Sequence, residues 1–156
     1  MQQNRYDKEP MTAVEAQRLA QEIAFGPIVF QVSRLMLKFG IFQLLADRRE
    51  GLTQEEISKA CGLSSYAVQV LLEASLTIGT VLLCEGHYQL AKAGWFLLND
   101  KMVRVNMDFN HDVNYLGMFH LEEALTNGRP GGLKVFGEWS TCLLYTSPSP
   151  RDGATS

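Results

Sequence analysis

His111, Tyr115 and Phe119 stand four apart in a stretch, Asn110 to Asn127, whose spacing predicts a helix, and with Glu122 they share one stripe of it. Val113, Leu116, His120 and Ala124 share another. Aromatic rings with polar handles suit the wall of a small-molecule site, so His111, Tyr115 and Phe119 are the candidate substrate-binding residues. The same pattern also describes a half-buried helix with satisfied polar tips. His120 and Glu123 could supply two metal ligands, but no third lies near them in sequence, and no metal is expected. The glycine run Gly128 to Gly132 follows a helix and contains Pro130, unlike a phosphate-binding loop. No Walker loop, nucleophile elbow, HExxH pair or GxGxxG after a strand is present, so no catalytic residue and no cofactor site are expected in this chain.

The elements that must position these residues begin with Thr12 and Glu15, in capping-box spacing, ahead of apolar Ala16, Leu19, Ala20 and Ile23. Gly26-Pro27 interrupts that helix, and a second stripe, Ile28, Val32, Leu35, Met36 and Phe39, carries it on to Phe39 after a kink. With Val29 and Phe30 beside it, this segment leaves little polar circumference and asks for cover on more than one side. A second chain could give that cover, as could a central place in the chain's own core. Three short helical signals and a hairpin follow. Ile41, Phe42, Leu44 and Leu45 form the first, and Thr53 with Glu56 caps the second, which should turn Ile57, Ala60 and Cys61 inward before Gly62 stops it. Ser64 or Ser65 caps the third, which buries Val68, Leu71, Leu72, Ser75, Leu76 and Ile78 before Gly79. Alternation at Val81 and Leu83, then Tyr88 and Leu90, marks a hairpin around Glu85-Gly86-His87. A short helix from Ala93 to Asn99 and a connection from Asp100 to Asp108 lead to the helical stretch Asn110 to Asn127. The fold class expected is mainly α: a winged helix-turn-helix with a small β-hairpin, preceded by a kinked helix pair and followed by one further helix.

A winged helix invites a DNA-binding reading, which the charges oppose. Fourteen Lys and Arg against seventeen Asp and Glu give the 156-residue chain a net charge of -3. From Leu52 to Ala91, Glu55, Glu56, Glu73 and Glu85 face only Lys59, where phosphate contacts would need cations. No nucleic-acid partner is expected, and a winged-helix transcriptional regulator is kept as the alternative function. Cys61, Cys84 and Cys142 form no CxxC pair and fit reduced thiols in a cytoplasmic protein. The stretch Gly26 to Ala46 is too polar for a membrane span, so no membrane association is expected.

Phe42-Gln-Leu-Leu-Ala46, Leu52-Thr53, Glu56-Ile57, Gly62-Leu63, Val68 to Leu72, Gly79, Gly86-His-Tyr88, Leu90, Gly94 and Leu97-Leu98 together resemble the N-terminal domain of class I S-adenosylmethionine-dependent O-methyltransferases. The likeness runs from Ala13 to about Gly137. It departs at Ala91, where the family has a capping Thr. The resemblance implies an interlocked homodimer through the N-terminal helices, a lid over a small-molecule substrate, and a downstream Rossmann-like domain that binds S-adenosylmethionine and supplies the base. Methyl transfer in such a parent would be a direct displacement at the sulfonium carbon.

Residues 142–156 change character. Cys142 to Asp152 resemble the translation of a transposase-type sequencing adapter, with Gly153 to Ser156 as the barcode behind it. The organisation expected is therefore a flexible N-terminus over 1–11, a dimerisation winged-helix domain over 12–100, a linker helix over 101–141 leading to a missing cofactor domain, and an artefactual tail over 142–156. The function expected is the dimerisation and substrate-lid domain of a truncated methyltransferase, without catalysis or cofactor of its own. A free-standing dimerisation module is a third possibility.

Overall fold

Residues 8–137 are described by a computed structural model, in two compact units that divide after Asp100. The tail over 142–156 and most of the 1–11 segment lie outside the described residues.

In the first unit, α1 (Ala13–Ala24) opens on the expected capping box: the Glu15 amide donates to Thr12 Oγ1 at 3.4 Å while the Thr12 amide donates to Glu15 Oε2 at 2.8 Å. Pro27, lacking an N–H, enforces a new start in the first turn of α2 (Gly26–Lys38). Gly40, at φ 71, turns the chain into α3 (Ile41–Ala46). Thr53 and Glu56 close a second capping box on α4 (Gln54–Cys61), and Ser64 Oγ, accepting from the Ala67 amide at 3.2 Å, caps α5 (Ser65–Ile78). Gly62 and Gly79 end these two helices in the left-handed region, which glycine enters without steric penalty. β1 (Val81–Cys84) pairs antiparallel with β2 (His87–Leu90), and Leu52 adds a bridge to Tyr88. Glu85 and Gly86 both have positive φ, as a tight hairpin turn of the primed kind requires. The unit closes with α6 (Lys92–Asn99).

The core is built from Met36, Ile41, Phe42, Leu45, Ile57, Val68, Leu72 and Val81, each at most 2% exposed. One expectation of burial fails. Ala60 is exposed, because the short α4 presents Ile57 to the core and turns its next apolar residue away. Leu83 is exposed as well, since β1 buries only Val81.

The second unit differs from its expected outline. Lys101–Phe109 is a helix, α7, where a connection was expected. Its apolar residues, at 102, 103, 105, 107 and 109, nearly alternate in sequence, which hides the helical period. The segment after it is helical but not one regular helix. A π-turn (Asn110–Asn114), a single turn α8 (Tyr115–Gly117), a 3-10 turn (Met118–His120) and α9 (Leu121–Asn127) succeed one another. Asparagine amides run along its start: Asn110 Nδ2 donates to the Asn106 carbonyl at 2.8 Å, and Asn114 Nδ2 to Asn110 Oδ1 at 2.9 Å. A last 3-10 turn (Gly131–Val135) packs on α8 so closely that a Cβ on Gly132 would lie 2.6 Å from the Gly117 carbonyl oxygen.

Candidate functional site

Two surfaces could carry function, an apolar helical face in the first unit and the irregular helix of the second. On α1 no residue is buried. Its expected stripe, Ala16, Leu19, Ala20 and Ile23, is exposed throughout, with Ile23 at 70%. The α2 helix divides its apolar circumference. Val32 and Met36 enter the unit's own core, whereas Ile28 is 55% exposed and Phe25 and Phe39 are exposed at its two ends. Both sources of cover read from the sequence are thus relevant: the core takes one side of α2, and an uncovered apolar surface continues from α1 along the other.

The surface that a DNA reader would use holds no cation on α5. Tyr66, Gln69, Val70, Glu73 and Thr77 are exposed there, and the Gln69 amide is committed to Glu73 Oε1 at 2.8 Å. At the hairpin tip, the His87 ring lies 3.1 Å from the Glu85 carbonyl oxygen.

Of the three candidate substrate-wall residues, His111 falls in the π-turn and is half-buried, Tyr115 opens α8 and is half-buried, and Phe119 lies in the 3-10 turn and is 90% exposed. A π-turn takes more residues per turn than an α-helix and a 3-10 turn fewer, so a stripe counted at α-helical spacing does not run straight through this segment. Buried His111 Nδ1 has no hydrogen-bond partner among the described residues. An apolar groove of about 250 Å³ does exist in this unit, lined among others by Val113, Met118, Leu121, Leu133 and Phe136, and none of the three candidates lines it. Sequence reading missed this groove because its far wall comes from the 3-10 turn after the glycine run.

His120 Nδ1 lies 3.5 Å from Glu123 Oε2, and the same carboxylate accepts from Lys134 Nζ. Hydrogen bonding to Lys134, then its charge, holds the Glu123 carboxyl below the usual range. This is an ion-pair cluster that ties the last turn to α9. Among the described residues no group of three His, Cys, Asp or Glu could hold a metal ion. The glycine run is used for packing: Gly132 meets Gly117, and a Cβ on Gly131 would touch the Glu123 side chain at 3.5 Å. No single helix among the described residues is long and apolar enough to cross a membrane.

Residues 17–88 match the family model described as the Dimerisation2-like domain. This segment is similar to a Dimerisation2-like domain. It comprises the kinked helix pair from within α1, the helix-turn-helix and the hairpin up to Tyr88. Across 115 residues the chain is 29% identical to the L-tyrosine C(3)-methyltransferase of Streptomyces lavendulae, a match that covers 72% of this chain and 31% of that enzyme. The chain therefore spans about a third of the length of this curated relative. Among solved structures, the S-adenosylmethionine-dependent methyltransferase SibL in its apo form aligns with a TM-score of 0.68 at 22% identity, over 76% of this chain and 36% of its own. Human N-acetylserotonin methyltransferase in complex with S-adenosylmethionine aligns with a TM-score of 0.59 at 21% identity, over 78% and 37%. Residues 17–88 and their flanks thus share the fold of one part of these methyltransferase structures.

Proposed function

We propose that this chain is the dimerisation and substrate-lid portion of an S-adenosylmethionine-dependent methyltransferase that acts on a small-molecule acceptor, and that it forms a homodimer through α1 and the outer side of α2. The observation that carries the reading is the uncovered stripe of α1, a helix without one buried residue in a segment matched by a dimerisation family. An amphipathic helix gains most of its stability from tertiary packing, and 12 residues are marginal alone. A stable interface buries about 800 Å² per partner, more than a monomer readily leaves apolar and exposed. The methyltransferase relatives support the class of reaction. His111, Tyr115 and Phe119 are proposed as part of the substrate wall, a role for which their chemistry and the unpartnered His111 Nδ1 speak. We assign cofactor binding in the parent to a further domain, a reading supported by Gly131 and Gly132, which are taken up by packing. The free thiols Cys61 and Cys84 are in keeping with the reducing cytoplasm.

Light scattering on the 156-residue chain tests the assembly. The wild type should run as a dimer, and Ile23→Glu with Ile28→Glu should give a monomer of unchanged helical content. Val32 and Met36, apolar members of the same helix, are unsuitable for this test because a charge there would enter the core. A monomeric wild type at micromolar concentration, or open-ended aggregation in place of a dimer, would overturn the homodimer. The reaction class is checked by reading the coding sequence downstream of Thr141, where a strand followed by a glycine-rich loop is expected.

A further inference from the structure

The connection from α3 to α4 sets Arg48 and Arg49 side by side on a groove of about 300 Å³ whose other lining includes Leu45, Leu90 and Trp95. Neither guanidinium closes an ion pair or makes a hydrogen bond among the described residues. Arg48 does help to lower the Glu56 pKa, but as its weakest cause. Asp47 and Glu50, the acids beside the pair in sequence, do not line the groove, and the Asp47 carboxylate is occupied by Gln43 Nε2 at 2.8 Å. Gln89, also in the lining, is turned to the Glu50 carbonyl at 3.3 Å. The floor is apolar, with Leu45 only 2% exposed. Trp95 stands 51% exposed, its indole braced edge-on by Phe96 at 5.2 Å. Between the lining residues Leu90 and Trp95, α6 begins at Ala91, which offers no side chain to cap it.

Two unpaired guanidinium forks ask for a carboxylate or a similar planar anion, and an exposed indole over an aliphatic floor asks for a ring. A volume at the lower end of small-molecule sites limits the ring system to one or two rings. From this juxtaposition we infer that the groove binds a small aromatic carboxylate, with the carboxylate between Arg48 and Arg49 and the ring against Trp95. The site lies wholly within the first unit and does not rest on the methyltransferase reading.

The probe is 1-naphthoate, titrated into the full chain carrying Trp139→Phe so that tryptophan fluorescence reports Trp95 alone. Saturable quenching is expected, with affinity at least about tenfold above that of 1-naphthalenemethanol, which has the rings without the charge, and of acetate, which has the charge without the rings. Arg48→Gln with Arg49→Gln should weaken naphthoate by about tenfold or more and leave the alcohol unchanged. Arg48→Lys with Arg49→Lys, which keeps the charge and loses the fork, should fall between. Calorimetry on Trp95→Ala should show a comparable loss. Equal affinity for naphthoate and the alcohol, indifference to the arginine substitutions, or no binding at all would each overturn the assignment.

Discussion

Gly94 lies in the interior of α6, where replacing glycine by alanine ordinarily strengthens a helix by up to about 1 kcal/mol. Here the opposite is expected. A Cβ at this position would stand 2.4 Å from the Thr80 carbonyl oxygen and 2.6 Å from Leu90 Cδ1. The leucine methyl can rotate away, but the carbonyl is held: it accepts from the Ala91 amide at 3.1 Å, while the Thr80 hydroxyl donates to the Ser75 carbonyl at 3.2 Å. Relief therefore requires α6 to move off the start of β1, and overpacking of this kind costs about 1–3 kcal/mol. After the gain in propensity, Gly94→Ala should destabilise by about 1–2 kcal/mol, which lowers the melting temperature of a unit this size by roughly 5–15 °C. Thermal melts followed by circular dichroism measure it, with Ala93→Gly as a propensity control on the exposed side of the same helix. A Gly94→Ala protein that melts at or above the wild-type temperature would refute the close approach of α6 to Thr80.

Ala91→Ser should supply the missing acceptor at the start of α6 and stabilise by about 1 kcal/mol, read as a rise in the denaturant midpoint. Leu72→Ala, at a fully buried position between α5 and its neighbours, should cost about 2–5 kcal/mol in the same assay. Glu56 is held below the ordinary glutamate range, first by the Thr53 backbone amide and then by its hydroxyl. A depressed carboxyl contributes stability that is present above its unfolded pKa and lost as pH falls through the folded one, so Glu56→Gln should flatten the acid side of the stability profile and leave its slope above pH 7 unchanged.

Much of the first unit is legible because its signals are local. Thr12, Thr53 and Ser64 each reach an amide three residues on, and Gly62 and Gly79 stop helices through their own backbone freedom; neither device needs knowledge of the rest of the fold. The sidedness of α2 was not legible. Its apolar residues leave little polar circumference, and only the packing of α5, α3 and α6 decides that Val32 and Met36 face inward while Ile28 does not. The irregular course after Phe109 escaped for a related reason, since a π-turn carries no periodicity of its own and asparagine amides accept and donate in many geometries. The three substrate-wall candidates rest on α-helical spacing, which the π-turn and the 3-10 turn of this segment interrupt. Arg48, Arg49 and Trp95 are nearly fifty residues apart, and tertiary structure alone makes them neighbours.

The break before Pro27 makes α1 a lever. Its 12 residues, at 1.5 Å each, give an arm of about 18 Å that is joined to the rest of the unit through one uncapped junction at Phe25. A change of only about 10° in the dihedrals there swings the far end through roughly 3 Å, enough to shift an apolar side chain from one packing notch to the next. Whatever grips α1 along its stripe thereby fixes that angle, and the pull is delivered at the base of α2, the helix that carries Val32 and Met36 into the core.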